Sequence, residues 1–370
     1  MKAISLVPGT SNISLKDVTE PVIQYPDEIK MKVLQVGICG TDRDEATGGR
    51  AKAPARKPEL IIGHEMFGRV VAVGNDVKSV QVGEYGIFTV RRGCGKCIAC
   101  NNNRSDMCFT GEYTERGIKG ADGFQSEFVI DKDQYFIKIP DEIKDIGVLT
   151  EPMSIAAKAI DEALIIQQAR FKNFGSSENW LNGKKALVAG IGSIGLLAAF
   201  ALRLRGATVY GMDIVDENSL RPQLLKEIGG KYINGNEVDV NNLDEKLGQV
   251  DFIFEAAGIG KLQIQLIDAL GINGIYIATG IPEGTRPVTV NGADLMRQLV
   301  LKNQVVLGSV NASIDHYKLA VADLEGCKKR WPEATDQLIT ERIPYTDFKQ
   351  ALHDHKTDEI KVVIEWAQQI

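Results

Sequence analysis

The stretch KKALVAGIGSIGLLAAFALRLRGATVYGMD, residues 184–213, decides the fold. A short apolar run leads into Gly190, Gly192 and Gly195, spaced G-x-G-x-x-G. Apolar residues at helical spacing follow over Ser193–Arg205, and a second apolar run ends at Asp213. Strand, glycine turn and helix in this order are the context in which the glycine pattern holds a dinucleotide. Gly190 allows the tight turn, Gly192 lets the backbone approach a pyrophosphate, and Gly195 lets helix and strand pack closely. The amides at the helix start, those of Ser193 and Ile194, then face the phosphates. Asp213 lies 23 residues after Gly190. An acid there accepts the ribose hydroxyls of NAD and repels a 2′-phosphate. No Arg or Lys occurs at residues 214–217, so the expected cofactor is NAD, preferred over NADP. The alternative is a turn without a ligand, with Asp213 a solvated strand end.

Working outward, the alternation continues downstream. Runs DFIFEAAG (251–258), GIYIATG (274–280) and VVLGSVN (305–311) read as strands, and Arg221–Gly229 and Lys261–Leu270 as helices. Apolar strands alternating with helices predict a parallel sheet covered on both faces. Upstream the texture differs. Ile29–Val36, Phe67–Val73, Tyr85–Val90 and Ser126–Ile130 are short β-type runs separated by Gly, Asp and Asn, which predicts a β-rich, loop-rich domain. Gly147–Gln168 reads as helical, and Asn173–Gly183 as an exposed connection. The tail holds a helix near Asp315–Arg330, a strand, a short helix and a final strand, KVVIEW (361–366). The fold class expected is α/β, with a doubly wound parallel sheet over 186–311. The β-rich domain spans 1–185 and is completed by 312–370.

The chain has 370 residues, room for about two domains of ~150. Apolar residues are 44% and charged ones 25%, an ordinary globular balance. Lys plus Arg number 43 and Asp plus Glu 49, for a net charge of −6. That balance argues against nucleic acid and anionic membrane as partners. No run of 18 apolar residues occurs, and the first dozen residues do not resemble a secretory signal. A cytoplasmic location is expected.

Four of the six cysteines fall in one loop, as Cys94-x2-Cys97-x2-Cys100-x7-Cys108. In a long chain with no secretory signal, such clustering predicts a metal more than disulfides. Four thiolates at short spacing suit a closed tetrahedral zinc site with a structural role. An iron–sulfur cluster is the chemical rival. A second set is scattered: Cys39, His64, Glu65 and Glu151. His64 is the only histidine before residue 316. Read from composition alone, a buried structural cysteine and a core histidine explain these residues better than a metal does.

GICGTD (37–42), GHEMFGRVVAVG (63–74), the four-cysteine loop, TEP (150–152) and GIGSIG (190–195) occur in one order. This order resembles the zinc-dependent medium-chain dehydrogenase/reductase superfamily, over essentially the whole chain. VRRGCGKC (90–97), FTGEYTERGI (109–118) and GSVN (308–311) resemble its glucose dehydrogenase branch. The resemblance implies a partly open, GroES-like β-barrel beside a Rossmann domain. It implies a catalytic zinc on Cys39, His64 and Glu65 or Glu151, with Thr41 passing the substrate proton to solvent. It implies Glu115 and Asn311 beside the sugar, with Asn311 also near the nicotinamide. The reaction implied is hydride transfer from an aldose such as D-glucose at C1, giving the lactone. Val90 and Ile155 stand where some relatives carry polar side chains, so a polyol or simple alcohol is the alternative substrate. A homodimer or homotetramer is the assembly implied.

Overall fold

In the computed structural model, which describes all residues except 173–179, 283–286 and 368–370, the described residues form nineteen strands and eleven α-helices. In order these are β1 (Lys2–Leu6), β2 (Ile13–Asp17), β3 (Glu28–Ile38), α1 (Gly40–Ala46), β4 (Leu60–Ile61), β5 (Glu65–Val73), β6 (Tyr85–Phe88) and β7 (Arg91–Arg92). Then come α2 (Ile98–Asn101), β8 (Thr114–Arg116), β9 (Gly120–Ala121), β10 (Phe128–Lys132), β11 (Phe136–Lys138) and α3 (Thr150–Phe171). The alternating part follows: β12 (Lys185–Ala189), α4 (Ser193–Leu204), β13 (Thr208–Asp213), α5 (Leu220–Glu227), β14 (Lys231–Asn234), α6 (Leu243–Leu247), β15 (Val250–Glu255), α7 (Gly260–Gln265), β16 (Leu270–Ala278), α8 (Gly292–Leu301) and β17 (Val305–Gly308). The tail is α9 (Ile314–Arg330), α10 (Pro332–Asp336), β18 (Ile339–Pro344), α11 (Phe348–His353) and β19 (Lys361–Glu365).

Two compact units divide these elements. One holds Met1–Ser154, Asn311–Glu325 and Leu338–Ile370; the other holds Ile155–Val310 and Gly326–Gln337. The sequence expectation put the break at 185/186, whereas the chain leaves the first unit inside α3. The sequence shows no punctuation there, because a continuous helix crosses the break.

The first unit is built on β3. Its first half alternates partly exposed and buried residues, and from Val33 to Ile38 every residue is buried. The change follows the pairing: β10 and β5 flank the first half, and β5 and β19 the second. The sheet runs β11-β6-β5-β3-β19-β18, with β10 beside β3. The final strand of the chain thus sits inside it, between β3 and β18. A small sheet, β7-β8-β9, supports the loop that carries Glu115.

The second unit is a six-stranded parallel sheet in the order β14-β13-β12-β15-β16-β17. Counted along the chain this is 3-2-1-4-5-6, the doubly wound Rossmann order. Ala186, Leu187, Val188 and Ala189 of β12 are all 0% exposed, as a strand covered on both faces requires. The helix expected over Lys261–Leu270 stops at Gln265. From there the chain tightens into i→i+3 bonds, Ile267 N to Ile264 O and Leu270 N to Ile267 O, and Leu270 enters β16. Most of the expected connection at Asn173–Gly183 lies outside the described residues. No helix among the described residues is long and apolar enough to cross a membrane.

Candidate functional site

Cys39 occupies the N-cap of α1 in extended conformation. Its Sγ accepts from Thr41 N at 3.2 Å, while Asp42 reaches back to accept from Cys39 N at 2.9 Å. This reciprocal cap holds the thiol at a fixed point. His64 follows Gly63, whose φ of 87° suits glycine, and a Cβ at Gly63 would meet Gln125 Cγ at 2.5 Å. The turn delivers His64 Nε2 to 3.2 Å from Cys39 Sγ. Glu65 opens β5 opposite Gly37, where a Cβ would strike Glu65 Oε2 at 2.1 Å. One donor atom each from Cys39, His64 and Glu65 lies within 4.8 Å of the others.

The surroundings orient these groups. Asp42 Oδ1 stands 3.5 Å from His64 Nδ1, and neither buried atom has another hydrogen-bond partner. A carboxylate facing one imidazole nitrogen leaves the other free for a metal. Burial works against a charged His64, but Cys39 and Asp42 outweigh it and raise its pKa well above the ordinary range. Burial pushes the Cys39 thiol up. Lys361, 2% exposed, donates to Glu65 at 2.8 and 2.6 Å and to Ile38 O at 3.2 Å. Glu151 lies in the first turn of α3, buried, and burial raises its carboxyl to about 7 with the charge of Glu65 adding to the effect. Glu45, wholly buried with both oxygens unpartnered, is pushed to about 9, first by burial and then by Asp42. The donor set is that of a zinc site with three protein ligands and an exchangeable position.

The four clustered thiols also converge within 4.8 Å of one another. Cys94 Sγ and Cys100 Sγ are 3.8 Å apart, and Cys94, Cys97, Cys100 and Cys108 form no disulfide. A disulfide needs about 2.05 Å. A tetrahedron with Zn–S arms of ~2.3 Å has edges of about 3.8 Å, which matches. Local donors favour the thiolate at two of the four: the amide of Cys100 lowers the Cys97 pKa, and the Thr110 hydroxyl lowers that of Cys108 to about 6, whereas burial and the neighbouring Cys97 push the Cys100 thiol up to about 12. The residues fit a closed four-thiolate metal site.

In the second unit, Gly190 has φ 83° and Gly195 packs so closely that a Cβ there would lie 1.8 Å from Gly190 O. At Gly192, the N-cap of α4, a Cβ would meet nothing within 4 Å. Beside it the Ser193 hydroxyl oxygen is buried without a partner. Open space, an orphaned hydroxyl and free helix-end amides suit a phosphate. Asp213 ends β13 and accepts from Ile191 N at 2.9 Å and Ile214 N at 2.7 Å. Arg221 Nη1 lies 4.0 Å from Asp213 Oδ2. Arg221 lies beyond residues 214–217 in sequence, and the first turn of α5 carries it back to the strand end.

Glu115 sits on β8 directly opposite Arg91 of β7. Its Oε1 accepts from Arg91 Nε and Nη2 at 3.1 and 2.8 Å, and from Asn311 Nδ2 at 2.9 Å. Asn311 holds a left-handed backbone, φ 60°, which asparagine tolerates. Glu112, by contrast, is exposed and paired with Lys96. Thr41 is half-buried, Val90 buried and Ile155 half-buried. Asp42, Lys361, Arg91 and Arg221 are the residues that sequence reasoning left without a role. Only Lys361 carried a signal, a lysine opening an otherwise apolar strand.

Residues 144–366 match the family described as Glucose dehydrogenase C-terminus, and residues 25–141 match the Alcohol dehydrogenase GroES-like domain. The chain is 33% identical over 367 residues to the glucose 1-dehydrogenase of Methanocella arvoryzae, covering 99% of both. It is 34% identical to that of Thermoproteus tenax, again over 99% of both. Among solved structures, it matches Haloferax mediterranei glucose dehydrogenase in complex with NADP, Zn and gluconolactone, with TM-score 0.88, 29% identity and full coverage of both chains. The 2R,3R-butanediol dehydrogenase of Bacillus subtilis matches with TM-score 0.80 and 25% identity, over 98% of this chain and 99% of that one.

Proposed function

Because the chain belongs to the glucose dehydrogenase branch of the zinc-dependent medium-chain dehydrogenase/reductase superfamily, we propose that it oxidises an aldose, D-glucose foremost, at C1 to the lactone. The observation that carries this reading is the Cys39–His64 contact at 3.2 Å with Glu65 in reach. Cys39 and His64, with Glu65 and Glu151 as the available carboxylates, would hold the catalytic zinc, and Cys94, Cys97, Cys100 and Cys108 a structural one. A zinc bound there would supply Lewis acidity to a substrate hydroxyl, and a nicotinamide cofactor would supply the hydride acceptor.

The chain's own residues do the rest. Asp42 faces His64 Nδ1 and so presents Nε2 to the metal. Lys361 neutralises Glu65, which keeps a second buried negative charge from accumulating beside Glu151. The half-buried Thr41 hydroxyl is suited to pass a proton outward. Glu115 Oε2 is the acceptor for a sugar hydroxyl, and Asn311 stands beside it.

For the cofactor, Asp213 favours NAD. Arg221, 4.0 Å away, is a cation in a position to answer a 2′-phosphate. Asp213→Asn is therefore expected to raise NADP+ use, and Arg221→Ala to lower it while leaving NAD+ use in place. Steady-state kinetics with both nucleotides check the pair. For assembly, β17 is a sheet edge, and Met296, Val300, Leu301 and Val306 are exposed on α8 and β17. Such an apolar edge supports a homodimer formed through it. The decisive assay follows reduced nicotinamide with zinc-loaded protein and D-glucose, D-galactose, D-xylose, sorbitol or ethanol. Aldose turnover is expected. Activity on sorbitol or ethanol alone would give the site to polyols or simple alcohols.

A further inference from the structure

The geometry points to Arg91 as a positioning residue: it aims the Glu115 carboxylate and ties that aim to the four-cysteine loop. This inference rests on the reading of Glu115 as the sugar-hydroxyl acceptor.

Arg91 is 7% exposed, and all of its guanidinium is committed. Nε and Nη2 grip Glu115 Oε1 at 3.1 and 2.8 Å. Nη1 donates to Asp106 O at 2.6 Å, and the plane lies 3.9 Å over the Tyr113 ring. The antiparallel register of β7 and β8 puts Arg91 and Glu115 face to face, so their side chains leave the same surface of the ribbon. With Asn311 added, three N–H donors converge on one oxygen. Oε2 takes none among the described residues. A carboxylate held this way has one oxygen locked and the other presented in a fixed direction, so little reorganisation remains when a hydroxyl arrives.

The far end of the clamp is in the cysteine loop. Asp106 lies between Cys100 and Cys108, and its buried carboxylate is held by Arg104 at 3.0 and 2.8 Å. The carbonyl that Arg91 reads therefore keeps its place only while that loop keeps its shape. A lysine cannot reproduce the contact, since a point charge lacks the planar fork that spans carbonyl and carboxylate together.

The test is a double-substitution cycle on the holoenzyme: Arg91→Lys, Glu115→Gln and both together. KM and kcat for D-glucose would be read alongside the affinity for NADH by fluorescence titration. Inhibition by 1,5-anhydroglucitol, which lacks the reacting hydroxyl, reports sugar binding apart from chemistry. Arg91→Lys is expected to raise KM and the inhibition constant about tenfold or more. NADH affinity should be unchanged. The double variant should lose little beyond Glu115→Gln alone, because Arg91 acts through Glu115. Additive losses, or an unchanged KM in Arg91→Lys, would overturn the inference while aldose oxidation stands. A wild-type enzyme that does not oxidise aldoses would remove the sugar reading on which it rests.

Discussion

At the scale of single residues, the glycines of the dinucleotide turn separate two kinds of requirement. Gly195 is needed by the fold, since its Cβ would lie 1.8 Å from Gly190 O. Gly192 has no such neighbour within 4 Å, so its requirement comes from the ligand. Gly192→Ala should keep the thermal midpoint, at a cost within ~1 kcal/mol, yet weaken NADH binding. Gly195→Ala should lower both. Thermal denaturation and fluorescence titration check the contrast, and equal NADH affinity in Gly192→Ala would refute it. The sequence made these glycines legible because their roles follow from backbone spacing. It hid Lys361 and Arg221, since what each one faces is decided by pairing across 296 residues in one case and by a helix turn in the other.

At the scale of elements, the long and periodic pieces were readable and the short ones were not. β12, α4 and β13 carry apolar runs punctuated by glycine, so their nature and order could be read directly. β7, β8 and β9 are two or three residues each, too short for any period, and β7 meets its partner β8 only across the four-cysteine loop. Yet they carry Arg91 and Glu115. The helix α8 was not expected either: it buries none of its residues fully, and Leu295 and Leu299 pack only partly against the core. What joins the short strands to the sheet is Asp131 on β10. Its carboxylate meets Arg92 Nη2 at 2.6 Å and Arg116 Nη1 at 3.5 Å. Burial alone would raise its pKa, but the two guanidinium groups outweigh burial and hold it below the usual carboxylate range. A carboxyl lowered in the fold adds stability above its unfolded pKa and loses it as pH falls through the folded one. Asp131→Asn should therefore cost about 3–5 kcal/mol at neutral pH, by leaving buried cations unpaired. It should also blunt the fall in stability at acid pH, measured by urea melts across the range.

At the scale of the whole molecule, the proposed dimer edge gives a direct expectation. Leu301, 73% exposed beside the open edge of β17, is a free surface residue if the protein is a monomer. Leu301→Asp should then change nothing. If the edge is an interface, the substitution should halve the mass seen by light scattering while leaving the fold intact. The family and both unit folds were legible because motifs in order survive in a linear string. The course of the chain between units was not, since it is a property of contacts. One of those contacts has a temporal side. Glu65 and its buried cation are 296 residues apart, and at ~5–20 residues per second the ribosome needs about 15–60 s to span them. During that interval the nascent barrel lacks the strand that fills its sheet and the cation that compensates its buried carboxylate. A chain released before Lys361 could not close the barrel, so premature stops near the very end would yield protein that quality-control proteases remove rather than a slightly shortened enzyme.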